Sequence, residues 1–299
     1  MEKKIIVPYA PILIESTRSI GYSFEAAISD IIDNSISAQA NEIQIRFMSK
    51  EPQWLCIEDN GWGMTSDELE NAMRYGSSSF DAIRRKDDLG RFGLGLKMAS
   101  FSQCRKVTVL TKKNGEIWGA CWDLDYILCQ GDWVLKLYEE NEVKNVQGYK
   151  WLKTHESGTV VVWEDFDRLR QGSSNIQKAF DEKIEVTRKH VSLVFHRFLN
   201  GESSSNRLAI LFNGDLVKGV DPFLTKHPAT QPLTEQVLRI GQEEIKVKPF
   251  ILPFISKMSK KDLEIMGEKD ELRLRQGFYV YRNNRLIIWG TWFRLIKQN

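Results

Sequence analysis

Three groups of residues in this chain have the types and spacing to do chemistry. Asp30, Asn34 and Ser37 fall at i, i+4 and i+7, with Asp33 beside them, so one helix face would carry them. A carboxylate one turn from an amide oxygen suits metal-assisted phosphoanhydride hydrolysis. Asp30 could hold and polarise a water, and the Asn34 oxygen could ligate a Mg that bridges phosphates. Polar stripes more often face solvent, so this pattern carries little alone. The second group, Asp59-Asn60-Gly61-Trp62-Gly63-Met64, follows an apolar run. An Asp at a strand end can accept a hydrogen bond from the exocyclic amine of adenine, and Gly63 lets a ring approach the backbone. A tight two-glycine turn is the equal alternative. The third group, Gly90-Arg91-Phe92-Gly93-Leu94-Gly95-Leu96-Lys97, opens a helix, where free N–H groups attract anions and Lys97 adds positive charge. It does not follow a strand, so it fits neither the dinucleotide fingerprint nor the GxxxxGK[ST] pattern. It closes a long loop instead, as a lid over phosphates would.

The elements that must position these groups read from periodicity. Ile20, Phe24, Ala27, Ile28, Ile31 and Ser35 recur at three- and four-residue steps and predict a helix over 17–40. EIQIRF (42–47) and WLCIED (54–59) read as strands, and SDELENAMRYG as a short helix with a Ser-x-x-Glu-like cap. Residues 76–93 carry no apolar period and read as a mobile loop, so the lid is expected over about 76–96. LKMASFSQC is helical, KVTVLTKK and EIWGACWDL are strands turned by Asn114-Gly115, and GTVVVWEDF (158–166) is a further strand. Helices and strands in this mixed order predict an α+β sandwich with helices on one sheet face. After a polar break at 171–175 come a long helix over 176–199 and the strands RLAILFNG, EIKVKPFIL and GFYVYRNNRLIIWG. They predict a second, α/β unit, so the expected domains are 1–170 and 171–299.

Composition narrows the classes. Nine Trp and fifteen Phe in 299 residues allow a buried core, which excludes a disordered chain. A net charge of +2 excludes a surface that is basic throughout, though not a local basic patch. Cys56, Cys104, Cys121 and Cys129 form no CxxC and read as reduced core residues, neither zinc ligands nor disulfides. No apolar run nears twenty residues and no leader precedes a cleavage site, so a soluble, cytoplasmic protein without membrane contact is expected.

The order of the motifs says more than any one of them. A helix with D-x-x-x-N, a strand with DNGxGM, a glycine-rich lid and then the Gly158-Thr159 strand resemble the GHKL superfamily of ATPases (gyrase, chaperone, histidine kinase, MutL), over about 20–166. The resemblance implies a Bergerat-type α/β sandwich that binds ATP with Mg. It implies Asp30 as general base, Asn34 as Mg ligand, Ala38 beside adenine, Asp59 on the adenine amine and Thr159 on an adenine-bound water. Gly61, Gly63, Met64, Ser77, Ser78 and the run Gly90 to Lys97 complete the implied nucleotide contacts. One residue departs from the pattern: the base position, usually Glu in hydrolysing members, is Asp30, with a shorter arm to its water.

SFEAAISDIIDNS and GFYVYRNNRLIIWGTWFRL resemble the opening helix and transducer strand pair of prokaryotic MORC-like proteins. That likeness implies a transducer-like second domain, with a chain shorter than relatives that continue into further helices or a nuclease region. It also implies ATP-dependent homodimerisation as a clamp, DNA as the larger partner, and a nuclease or other restriction or anti-phage defence protein as a companion. Among Lys257, Lys260, Lys261, Lys269, Arg273 and Arg275, none is assigned to the γ-phosphate. Two other readings stay open: a chaperone-like ATPase acting on proteins, and a nucleotide-sensing module without significant hydrolysis.

Overall fold

Pro11 lies in the first turn of a helix, α1 (Ala10–Arg18), where a missing N–H leaves no bond unmade. Ser23 then restarts the chain: its hydroxyl accepts the Ala26 N–H at 3.3 Å and opens α2 (Phe24–Ser37). The helix expected over 17–40 is therefore bounded by a cap that its apolar period did not reveal. The computed structural model describes residues 8–19, 21–75, 95–202, 207–266, 272 and 275–293.

The next elements follow the predicted strands and helices closely. They are β1 (Glu42–Met48), β2 (Trp54–Asp59), α3 (Ser66–Met73), α4 (Gly95–Phe101), β3 (Lys106–Lys113), β4 (Glu116–Asp123) and α5 (Leu124–Gln130). Thr65, not Ser66, caps α3, in a capping box closed by Glu68. Asn114 and Gly115 both take positive φ, 54° and 87°, and turn β3 into β4. After β5 (Lys136–Leu137), α6 (Glu140–Val143) and α7 (Tyr149–Thr154) come β6 (Gly158–Glu164), α8 (Asp167–Gly172), α9 (Ile176–Val194), α10 (His196–Leu199), β7 (Ala209–Phe212) and β8 (Asp215–Leu216).

Eight strands form one mixed sheet in the order β5-β4-β3-β6-β2-β1-β7-β8. All its pairs are antiparallel except β1 with β7. Strand alternation sends Leu55, Ile57 and Asp59 to the face that meets α2, where Ser35 bonds Asp59. The core there is aromatic: Phe24 lies 6.1 Å from Trp163 and 6.0 Å from Phe180, and the Trp163 indole N–H donates to Ser100 Oγ at 2.8 Å. The sandwich is thus the expected one, with an addition. Val143 of α6 and Leu152 of α7 pack on Cys56, Leu110, Val160 and Val162, so two short helices cover part of the other face.

The chain divides into two compact units, 1–191 with 203–217 and 192–202 with 218–299. These limits differ from the expected division at 170/171, because Phe180 and Ile184 of α9 join the aromatic core and β7 extends the sheet. In the second unit β9 (Gln231–Pro232) pairs with β12 (Phe250–Ile251), and β10 (Gln236–Ile240) with β11 (Glu243–Val247). A 3₁₀ turn (Ile255–Lys257) and α11 (Lys260–Met266) precede the pair β13 (Phe278–Arg282) and β14 (Arg285–Thr291). Asn283 and Asn284 supply the two positive φ values of that last turn. Three two-stranded ribbons with short helices make this unit more β-rich than the α/β unit expected. Cys56, Cys104 and Cys121 are buried and free as expected, whereas Cys129 is exposed.

Arg18 ties several parts of the first unit together. It is 2% exposed; its Nε donates to the Phe101 carbonyl at 2.8 Å and its Nη2 to Asp167 at 2.6 Å, joining α1 to the end of α4 and to α8. Arg18→Met removes the partner of both and is expected to cost about 2–3 kcal/mol of stability. Urea unfolding of the two proteins measures this; a loss below about 0.5 kcal/mol would refute the role.

Candidate functional site

Asp59 ends β2 as a carboxylate 5% exposed. Ser35 Oγ donates to its Oδ2 at 2.9 Å, the Gly61 N–H donates to its Oδ1 at 2.9 Å, and the Thr159 backbone adds a further bond. Burial outweighs these bonds and raises its pKa from 3.8 to about 6. A polar group is therefore held at a position that the apolar core alone would fill with a hydrophobe.

The turn after Asp59 is pinned by close backbone approaches. The Trp62 N–H donates to the Ala38 carbonyl at 3.1 Å, and Asn60 Oδ1 accepts the Asn41 and Glu42 N–H groups at 3.0 Å. A Cβ on Gly61 would lie 2.8 Å from Ala38, and one on Gly63, at φ +65°, 1.9 Å from the Lys112 carbonyl. Both glycines are thus required by space. The Met64 N–H donates to Thr111 Oγ1 at 2.7 Å, Thr111 donates to the Gly158 carbonyl at 3.2 Å, and Ser157 donates to the Gly61 carbonyl at 2.7 Å. Thr159 lies opposite Asp59 in the β2–β6 register and opposite Thr111 in the β3–β6 register. Ala38, Asp59, Gly61, Gly63, Met64 and Thr159, expected as one group, are brought together.

The other end of the site lies one to two turns back along α2. Asn34 is exposed, and Asp30, one turn before it, is half-buried. The Tyr22 hydroxyl bonds Asp30; burial first, and then that carboxylate, push the phenol up to about 12. A Cβ on Gly95, at the start of α4, would lie 3.8 Å from Asp30 Oδ2, so Gly95 and Asp30 are also neighbours. Asp33 and Ser37 differ from the polar-stripe expectation: Asp33 is buried and Ser37 half-buried.

Lys97 sits elsewhere than its place in the glycine run suggests. Its ammonium donates to the Ala72 and Arg74 carbonyls, both at 2.7 Å, and burial lowers its pKa to about 8. It closes the C-terminal end of α3, which its sequence neighbourhood did not reveal. Leu96 is half-buried beside it. Ser77, Ser78, Gly90, Arg91, Phe92, Gly93 and Leu94 lie outside the described residues, as does most of the expected lid. Ser35, Thr111, Ser157 and Tyr22 are the polar residues that sequence reasoning did not assign to the site. Ser35 left a signal: it is a lone hydroxyl in an otherwise apolar helical stripe.

Among the described residues no group of three His, Cys, Asp or Glu could hold a metal. The exposed Asn34 offers one hard oxygen donor, which fits a Mg held mainly by phosphate oxygens and water rather than by a protein cage.

The buried Asp59 thus lies beside the last turn of α2, and Asp30 lies further back along the same helix. Residues 22–159 match the family described as histidine kinase-, DNA gyrase B- and HSP90-like ATPases. These residues form a domain of that GHKL family. The match covers a little under half of the chain. The chain is 33% identical over 93 residues to ATPase morc-1 of Caenorhabditis elegans, covering 31% of this chain and 10% of that protein. It is 35% identical over 100 residues to chaperone protein HtpG of Halalkalibacterium halodurans, covering 30% and 16%. It is 26% identical over 93 residues to DNA mismatch repair protein MutL of Chlamydia abortus, covering 30% and 16%. Only a small part of each relative's length is therefore shared. No helix among the described residues is long and apolar enough to cross a membrane.

The burial of Asp59 has a consequence for stability. Folding raises its pKa, so its contribution is full below 3.8 and is lost as pH rises through about 6. An Asn there still accepts from the Gly61 N–H, and its amide can donate to Ser35, which keeps the Ile31 carbonyl 3.3 Å away as its own acceptor. Asp59→Asn is expected to stabilise the ligand-free protein at about pH 8 by up to roughly 3 kcal/mol, and far less near pH 4. Thermal melts at the two pH values check this; an equal effect at both would contradict it.

Proposed function

We propose that the chain binds ATP with Mg between Asp59 and the Asp30–Asn34 face, and hydrolyses it slowly. The observation that carries this reading is the buried Asp59 carboxylate, a hydrogen-bond acceptor prepared for the adenine amine. It is reinforced by Thr159 and Ala38 beside it and by the family match over 22–159. Magnesium, when bound, would offset phosphate charge, with the Asn34 oxygen as its protein ligand. Asp30 would hold the attacking water and take its proton, oriented by the Tyr22 hydroxyl. Gly90 to Gly95 would cover the phosphates, while Lys97 is left out because two carbonyls already hold its ammonium.

We further propose that ATP closes this site and joins two chains as a clamp on DNA, with the second unit as its transducer-like part. The likeness to proteins named as a MORC ATPase and a DNA mismatch repair protein supports the DNA reading. The likeness to a chaperone favours a second reading, action on polypeptides. DNA retardation that weakens steeply with salt separates the two.

The deciding experiment compares phosphate release by wild type and Asp30→Asn, each with ATP binding confirmed. Asp30→Asn is expected to bind ATP and to lose about 10²-fold or more in release, as for a general base; equal release removes Asp30 from that role. Molecular size is measured in parallel with Mg and a non-hydrolysable ATP analogue. A nucleotide-dependent dimer is expected, and no change in size would refute the clamp.

Nucleotide affinity should also follow the Asp59 proton. The adenine amine needs the ionised carboxylate, so affinity is expected to be flat above about pH 6 and to fall up to about ten-fold per pH unit well below it. Calorimetric titration with ADP across that range tests this, and a flat profile would exclude Asp59 as the acceptor.

A further inference from the structure

In the second unit β10 is exposed throughout, and β11 at every residue but Val247. Gly241, at φ +64°, with Gln242 makes the two-residue turn of their hairpin, and the register runs Ile240↔Glu243, Leu238↔Ile245, Gln236↔Val247. Strand alternation places Leu238, Ile240 and Ile245 on one face, and they are 50%, 65% and 46% exposed. The opposite face carries Val237, Arg239, Glu244 and Lys246, with Arg239 and Glu244 paired at 3.0 Å. Among the described residues the ribbon has only these two strands, so both of its edges are open. An open, partly apolar edge is a template for another strand.

The chemistry of the β11 edge identifies its occupant. A two-residue turn closes on a hydrogen-bonded pair, here Ile240 with Glu243, and hydrogen-bonded pairs then alternate along the ribbon. Glu243, Ile245 and Val247 therefore direct their N–H and C=O groups to β10, while Glu244 and Lys246 direct theirs outward. An antiparallel partner must meet Glu244 and Lys246 through those groups. When the partner is the same strand and the two-fold axis passes through Ile245, Glu244 lies opposite Lys246 of the other copy, and Lys246 opposite its Glu244. The backbone register and the charge register coincide. Ile245 meets its own copy on the apolar face at the non-hydrogen-bonded, closer spacing. The Arg239–Glu244 pair then extends into a row of alternating charge across the joined ribbons.

We infer that this edge is a self-association surface: β11 of two copies pairs antiparallel about Ile245, giving a four-stranded sheet across a two-fold axis. The pairing uses no nucleotide, so it adds a contact separate from ATP-driven closure.

Sedimentation of the full chain over a concentration series, without nucleotide, tests it. The wild type is expected to associate reversibly into dimers. Lys246→Glu sets Glu against Glu twice per dimer, and Glu244→Lys sets Lys against Lys twice. Each is expected to weaken association by roughly ten-fold or more. Mixing the two variants sets both lysines of one chain against both glutamates of the other, and is expected to restore association. A merely misfolded hairpin would not recover on mixing. A wild type that stays monomeric throughout overturns the inference, and so does an extended-strand partner of another protein taking the edge in its place. Single variants that dimerise like the wild type, or a mixture that stays apart, overturn it too. Nucleotide takes no part in the measurement, so its outcome is independent of the ATP reading.

Discussion

The burial of one carboxylate governs the first unit. Asp59 ends a strand that is buried from Leu55 onward, and its charge is tolerated only because Ser35, Gly61 and Thr159 supply hydrogen bonds. Those donors come from α2, from the turn beyond β2 and from β6, so three elements must be in register before the group can be ionised. Gly61, Gly63 and Gly158 permit that register, since a Cβ on any of them would meet backbone at 1.9–2.8 Å. The residual cost is desolvation, which raises the Asp59 pKa to about 6 despite these bonds.

Because Ser35 supports Asp59 while Asp30 and Asn34 lie on the same helix, α2 sets the distance between the two ends of the site. Its rigidity comes from packing. Phe24, Ile28 and Ile32 are fully buried, and the Phe24 ring contacts those of Trp163, Phe166 and Phe180. α4 is held beside it at several points: Arg18 bonds its C-terminal carbonyl, Lys97 bonds the end of α3, and Ser100 accepts the Trp163 indole N–H.

Much of this was legible in the sequence where a single local rule decides the outcome. Alternation marked β1, Asn114-Gly115 marked the turn of β3 into β4, and the DNGxGM and Gly-Thr motifs marked residues that meet around Asp59. The losses occurred where a long-range partner decides. The side chain of Lys97 is drawn to the carbonyls of Ala72 and Arg74, a destination that nothing near position 97 announces. β7 reads as part of a second unit until its parallel pairing with β1 is seen. The break before α2 was hidden because apolar spacing continued through it, and only the cap at Ser23 reveals the restart. Cys129 reads as core by its neighbours, yet it lies on the open face of a short helix.

The two units also treat their strand edges in opposite ways. The eight-stranded sheet ends in β5 on one side and β8 on the other, each only two residues long, which leaves little backbone open to another chain. The β10–β11 ribbon has five-residue strands, no covering element among the described residues, and Leu238, Ile240 and Ile245 in solvent. Lys and Glu on an edge usually repel a second strand, yet here they alternate around a central Ile so that the repulsion vanishes for one partner only. An arbitrary neighbour meets unmatched charge along this edge, whereas a second copy meets complementary charge. The same residues therefore guard the edge against general aggregation and select a single two-fold arrangement.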